Sequence, residues 1–426
     1  MEAITIIALV HFLITYVLLL ALPKYRPYVA LVSALIFVIY LNFSFKEVFY
    51  AIDWNVILMI AGTMGIVYLF IESKMPALLA DKIIAKTPNV KWAIIALSLF
   101  SGLISAFVDN VATVLMLAPI ALTISKKLNI SPVKSIIAIA IASNLQGAAT
   151  LVGDTTSILL GSKAGLNFLD FFYDIDRGKI GMFFVVQAGA IVATSVLFLV
   201  FRKDTQKIET EEMTKVTDYV PTVLLVLMIV FLIMASFITN KPAITNGLIT
   251  MGLFVIGVFY NFARTNNRKV FIEAIKAIDY FTILLLMGLF VVISGITKAG
   301  VVDEIANLIS KASTNPFIIF TIIVWVSVLV SAFVDNIPYV ATMLPVAELI
   351  ARKTGVDPFL LYYGLICGAT LGGNLTPIGA SANITGIGIL RKEGYEVSAG
   401  QFMKISVPFT LAAVTTGYIL VWLIWH

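Results

Sequence analysis

SAFVDN stands at residues 105–110 and again at 331–336, each time setting an Asp and an Asn inside an otherwise apolar run. An ionised carboxylate at the bilayer centre costs about 3 kcal/mol on insertion scales, so a placement made twice argues for use. The two copies lie 226 residues apart, and the same spacing joins Asp53 to Asp279, Pro119 to Pro345, Gly147 to Gly373, Thr150 to Thr376 and Gly153 to Gly379. Between 105–120 and 331–346, eight of sixteen positions are identical, the Ser, Asp and Asn among them. Chance similarity between apolar helices rarely does that, so the halves read as duplicates. A charged stretch, RKDTQKIETEEMTKVTD, separates them: a first repeat over 1–201, a cytoplasmic linker over 202–218 and a second repeat over 219–426.

Composition places the chain in a membrane. Of 426 residues, 60% are hydrophobic and 12% charged, and the mean hydropathy is +1.02, far from a soluble domain. One Cys and two His provide neither a disulfide framework nor a zinc site. The net charge of +5 reflects basic loops on one side of a membrane, not nucleic-acid binding. Apolar runs long enough to cross lie near 3–22, 27–45, 54–72, 179–201, 219–239, 243–263, 280–297 and 404–425. The first is expected to be a crossing helix, with a cleaved signal peptide as the alternative.

Each SAFVDN region is either one crossing or a re-entrant hairpin. With hairpins, each half has five crossings and the 29 basic residues divide 20 to 9 between the faces; with single crossings they divide 15 to 14. The biased division favours hairpins. Five is odd, so the second half is inverted relative to the first. Lys24, Arg26, Lys126, Lys127, Arg202, Lys203 and Arg264 mark the basic face, which places both termini outside. The expected fold is an all-α polytopic membrane protein of two inverted repeats of five transmembrane helices, each with a re-entrant hairpin and a broken helix.

The breaks are SNLQGAATLVGDTTS at 143–157 and GATLGGNLTPIGASANITG at 368–386. Gly147, Gly153, Gly372, Gly373, Gly379 and Pro377 permit unwinding there, and irregular backbone at membrane depth belongs beside a cavity. Half-helix N-termini would then point inward with free N–H groups and partial positive charge. Asp109 and Asp335, with Asn110 and Asn336, have two open roles: capping the helix that follows, or coordinating a cation or proton. Asp154 stands opposite Ala380, as Asn374 does opposite Ala148 and Asn383 opposite Ser157. That asymmetry suits a single site on a pseudo-two-fold axis, or else Asp154 is a polar loop residue. Asp53 and Asp279 are expected to cap helices at the membrane edge.

SAFVDN with ATVLMLAP, GAATLVGD and LGGNLTPIGASANI resembles the ion transporter superfamily, in the branch of arsenical pump permeases, the P protein and sodium/proton antiporters. The resemblance covers nearly the whole chain. It implies inverted repeats in a scaffold and transport domain arrangement, a homodimer and elevator-like alternating access. By position it implies site residues Asp109, Asn110, Asp335 and Asn336 at the tips, and Asn144, Thr150, Asp154, Asn374, Thr376, Ser381 and Asn383 at the breaks. P-protein-like members often carry Pro-Pro where this chain has Thr155-Thr156.

The expectation is a secondary active transporter in the cell (inner) membrane, coupling a proton or sodium gradient to a small inorganic ion or small anion. Sodium/proton and arsenite-type antiport both suit an acidic site, and a coupling sodium would sit at Asp109, Asn110, Asp335 and Asn336. No Lys or Arg falls in the midplane segments, so citrate or another dicarboxylate would depend on helix N-termini, hydroxyls and co-bound cations. No cofactor is expected, and no GxxxxGK[ST] motif is present. A passive channel and an intramembrane aspartyl protease are readings from other classes; LVG before Asp154 lacks the latter's Gly-x-Gly-Asp pattern.

Overall fold

A computed structural model describes residues 2–207, 213–266 and 268–426; the remaining linker residues, 208–212, lie outside the description. The chain folds as helices joined by short connections, with one small antiparallel pair, Tyr173–Asp174 with Lys179–Ile180. In the first half these are α1 (Ala3–Ala21), α2 (Arg26–Tyr40), α3 (Phe45–Ala51), α4 (Trp54–Glu72), α5 (Met75–Ile84), α6 (Val90–Ser105), α7 (Asn110–Lys127), α8 (Val133–Gln146), α9 (Thr155–Ala164) and α10 (Met182–Val200). The second half has α11 (Val220–Ser236), α12 (Thr245–Thr265), α13 (Arg268–Lys276), α14 (Tyr280–Lys298), α15 (Val301–Ala312), α16 (Pro316–Ser331), α17 (Asn336–Thr354), α18 (Pro358–Ile366), α19 (Ser381–Lys392) and α20 (Ala399–Trp425). Among the described residues, six helices are long and apolar enough to cross a membrane alone, and α6, α11 and α16 are shorter apolar helices.

Helix starts obey the 226-residue spacing from α4 and α14 onward: Trp54 and Tyr280, Val90 and Pro316, Asn110 and Asn336, Thr155 and Ser381. Matching caps open three of the pairs, Asp53 with Asp279, Asn89 with Asn315 and Asp109 with Asp335, while Asp154 stands opposite Ala380 at the fourth. Asp53 accepts the Val56 N–H at 3.1 Å, and Asp279 accepts the Thr282 N–H at 3.1 Å, so both are helix caps as expected. Before α3 the register changes. Gly62 is laid against Thr250 and Met251 and Gly288 against Ala30 and Leu31, so Ala30 corresponds to Thr250, 220 residues on.

Those contacts also orient the helices. Gly247 touches Asn55 and Gly257 touches Leu69, so α4 and α12 run parallel; Gly288 at Ala30 and Gly295 at Phe37 make α2 and α14 parallel. A methyl group on Gly62 would lie 2.4 Å from backbone atoms of α12, so the helices meet backbone to backbone, as small residues allow in lipid. Helices α1, α2, α4, α11, α12 and α14 pack together as a frame. Helices α6–α10 and α16–α20 pack as a second body, with α5 and α15 between the two.

Two opposite faces follow. The Val90 and Lys91 N–H groups donate to the carbonyls of Gln206 and Asp204, and Lys134 Nζ lies 3.9 Å from Asp204. Both ends of the α6–α7 pair therefore sit at the linker. Trp425 donates to the Ile180 carbonyl and stacks on Phe359, while Phe317 meets Trp422. The open end of α16–α17 thus sits at the opposite, terminus face, from which α10 crosses the body to the linker.

Candidate functional site

Both hairpin tips break where the sequence places Asp-Asn, and both Asp residues cap the outgoing helix. Asp109 Oδ1 accepts from the N–H groups of Val111 at 3.0 Å and Ala112 at 3.1 Å. Asp335 Oδ1 accepts from Ile337 N–H at 3.1 Å. One oxygen of each carboxylate is thereby used by the fold, which leaves the second for other partners.

The breaks are stitched to the tips by equivalent bonds. Thr150 Oγ1 donates to the Ala106 carbonyl and Thr376 Oγ1 to the Ala332 carbonyl. Glycine is required for that approach: a Cβ on Gly153 would lie 2.7 Å from the Gly147 carbonyl oxygen, and one on Gly379 2.5 Å from that of Gly373. Gly372, at the end of a π turn over Cys367–Leu371, is pressed against the Val328 backbone. Pro377 lies between Thr376 and Gly379, where the chain is non-helical.

Behind the tips runs a buried amide chain linking the halves. Asn110 Nδ2 donates to Asn144 Oδ1 at 3.1 Å. Asn144 Nδ2 donates to the Thr370 carbonyl at 2.9 Å and Asn374 Oδ1 at 3.1 Å. Asn374 Nδ2 closes on the Ile141 carbonyl at 2.8 Å. Asn383 Nδ2 reaches the carbonyls of Gly373 and Thr376, and its Oδ1 is buried without a partner among the described residues. Such a chain fixes the two breaks relative to each other.

In front of the tips is a cavity of about 360 Å³, lined by Asp109, Asn110, Asp154, Thr155, Asn336 and Ser381 from the body and by Tyr68, Asp279 and Thr282 from the frame. Tyr68 is near the end of α4 and Asp279 starts α14, both at the linker face, because Thr217 N–H of the linker donates to the Ser73 carbonyl. The cavity therefore opens toward the linker. Asp154 Oδ2 accepts from Asn336 Nδ2 and Thr156 Oγ1, each at 3.3 Å. Thr156 in turn meets Thr370 at 2.9 Å. The Thr-Thr that departs from the related proteins thus places one hydroxyl on Asp154.

The four tip residues do not converge as one cation-binding set. Asn110 turns to Asn144, Asn336 to Asp154, and Asp335 Oδ2 to Arg26 Nη1 at 3.1 Å. Ser381 Oγ also donates to Asp335 Oδ2, at 3.3 Å. Among the described residues no cluster of three or more Asp, Glu, His or Cys is close enough to hold a metal. The acidic side of the cavity is Asp109 and Asp154, with Asp279 on the facing wall. Asn144, Thr150, Asn374, Thr376 and Asn383 lie outside its lining and support it. Sequence reasoning missed Arg26 and Tyr16. Arg26 is anchored by Nε on the Leu19 carbonyl at 3.0 Å, and Tyr16 donates to the Pro338 carbonyl at 2.7 Å. Nothing local in the sequence announces either, since both partners lie more than 300 positions away.

A larger cavity of about 930 Å³ opens on the terminus face between Asp53, Lys163, Lys298, Glu348 and Arg352, and its lining includes none of Asp109, Asp154 and Asp335.

Residues 16–363 match the sequence pattern of the citrate transporter family, CitMHS. The chain belongs to that family. The CitMHS chain is 31% identical over 440 residues to a protein named as an uncharacterized transporter of Mycobacterium tuberculosis, 98% of each being covered. The P protein of Homo sapiens is 27% identical, over 87% of this chain and 54% of the P protein. The YdaH transporter of Alcanivorax borkumensis has the same fold, with a TM-score of 0.60 at 13% identity over 86% of this chain and 84% of that one. This CitMHS protein is accordingly a multi-pass transporter of the ion transporter superfamily.

Proposed function

We propose that this CitMHS protein is a secondary active transporter in which Asp109, Asp154 and Asp335 couple a proton or sodium gradient to movement of a small ion. One observation carries the reading: Asp109 and Asp154 line a cavity reaching one face where two hairpin tips and two helix breaks converge, with Asn336 on Asp154 and with Asp335 held beside it by Arg26 and Ser381. A carboxylate there can hold a proton or a hard cation, for which carboxylate, amide and hydroxyl oxygens are suited. The antiporter reading, sodium/proton or arsenite-type, follows from that acidic lining. The cation is cargo, received at Asp109 and Asp154 with Thr155 and Ser381 at hand.

Alternating access would arise by the body moving against the frame, elevator-like, in a homodimer, with repeats at 1–201 and 219–426 inverted about the linker at 202–218. The parallel pairs α4 with α12 and α2 with α14 support the inversion: α2 and α4 are successive crossings, so α12 runs opposite to its counterpart α2. The face carrying the linker and most basic loops would be cytoplasmic, and both termini outside the inner membrane. A protease dyad needs two carboxylates sharing a proton, whereas Asp109 and Asp335 each cap a separate helix.

Sodium-coupled citrate or dicarboxylate transport is the second reading. It is favoured by the CitMHS match, by Arg26 at a tip, and by the α9 and α19 N-termini, which have no side-chain cap bond among the described residues. The deciding assay follows internal pH in proteoliposomes as sodium, lithium, arsenite and citrate are added in turn. Asp154→Asn should lower the coupled response about a hundredfold, the scale expected when a buried charge is removed from an ion site; an undiminished response would sink the coupling role.

A further inference from the structure

The frame meets the two hairpin tips with carboxylates on both sides but with a guanidinium on only one. Asp279 faces the tip cavity now, and its counterpart across the repeat, Asp53, lines the cavity of the terminus face. Arg26 has no such counterpart. In the register set by Ala30 with Thr250, position 26 corresponds to Asn246, which is buried with its Oδ1 unpartnered among the described residues.

Inverted repeats make the second state of a transporter resemble the first with the halves exchanged. Exchanging them here takes Asp335 from Arg26 to the neighbourhood of Asp53, and Asp109 from Asp279 to the neighbourhood of Asn246. The groups facing the tips are then Asp154 and a frame carboxylate in both states, and Arg26 in the linker-facing state alone. A buried carboxylate without its partner must bind a cation or a proton.

We infer that Arg26 is the residue that ejects the coupling cation: Asp335 takes up one sodium or proton at the terminus face and gives it up at the linker face, where Arg26 replaces it. The inference rests on the transporter reading above and adds a direction to it. For a proton the step balances simply: the Asp335 carboxyl O–H breaks, the proton leaves by way of Ser381, which bonds Asp335 Oδ2 and lines the cavity, and the carboxylate accepts from Arg26 Nη1. Tyr16, bonded to the Pro338 carbonyl and to Thr342, seats the same hairpin on the frame and provides the geometry without the charge.

Full-length protein in proteoliposomes, probed with sodium and with pH steps, tests this. Arg26→Gln should tighten the linker-side apparent affinity for the coupling ion about tenfold and slow net flux equally, while ion-for-ion exchange continues. Arg26→Lys should recover most of the net flux, which a purely packing role would not predict. The native Cys367 is buried, so Leu115→Cys in the cavity wall reports the linker-facing state through its rate of maleimide labelling. Arg26→Gln should lower that rate in the absence of sodium, and the Arg26→Gln, Asp335→Asn double variant should restore it, since neither charge is then stranded. Wild-type affinity, net flux and labelling in Arg26→Gln would overturn the inference while leaving the transporter reading intact. A wild-type protein that answers neither sodium nor a pH step would instead overturn the transporter reading, and the ejecting role with it.

Discussion

At residue 109 the Asp carboxylate accepts two backbone N–H groups and borders a cavity; at residue 335 it accepts one, then an arginine and a serine. The six residues around both are identical, and so is the course of the backbone into α7 and α17. What separates them is supplied from elsewhere: α2 and α19 at one tip, the cavity at the other. The same six residues give a cap at both tips, and the chemistry is set by what the rest of the chain brings to it.

The largest test of that difference compares Asp335→Asn with Asp109→Asn. Asn caps helices well, so each variant keeps its backbone contact, but Asp335→Asn strands Arg26, which is 13% exposed. It should cost about 3 kcal/mol, the scale for breaking a buried pair, whereas Asp109→Asn should leave the unfolding temperature nearly unchanged. Equal losses in thermal unfolding would erase the distinction between the tips.

Smaller and symmetric effects belong to the breaks. Gly153→Ala and Gly379→Ala each drive a methyl group into backbone carbonyls and should each cost about 2 kcal/mol as overpacking; a tolerated Gly379→Ala would mean the second break moves freely on its hairpin. Thr150→Val and Thr376→Val each remove one buried hydroxyl bond to a tip carbonyl. Each should cost about 1 kcal/mol, with the same value in both halves.

The smallest effect is expected far from the tips. Glu47 on α3 is held down to about 2 by Lys298, with Ser44 contributing. A depressed carboxylate stabilises above its ordinary value of 4.5 and loses that contribution as pH falls through about 2. The pair is exposed, so Glu47→Gln should leave unfolding at pH 7 unchanged and remove only a shallow acid-side slope. A clear loss at pH 7 would show that this surface pair matters as much as the buried one.

Much of this was legible in the sequence. The 226-residue spacing located the tips and breaks, and the Asp-before-helix pattern predicted the caps at 53 and 279 and offered capping as one of two roles at 109 and 335. Those are local facts, governed by which residue can serve a free N–H group. The ion pair of Arg26 and the contacts of Tyr16 depend on docking of frame on body, which no local spacing encodes. Arg26 read as a topological charge near a membrane edge, and its stem carries the guanidinium to Asp335 instead. The amide chain through Asn144 and Asn374 was named residue by residue, but not its place behind the cavity. The change of register before α3 was hidden because α1 and α2 share few polar landmarks with α11 and α12.

The helix pairs that join the halves have a consequence for how such a chain can be rebuilt. Gly257 receives Leu69 on one side, and on the other Gly295 receives Phe37. The large and small partners have exchanged places between the halves. A tandem of two first halves would press Phe37 against Leu69, and a tandem of two second halves would face Gly257 with Gly295 and leave a void. The halves fit each other like a hand and its glove, so neither can stand in for the other.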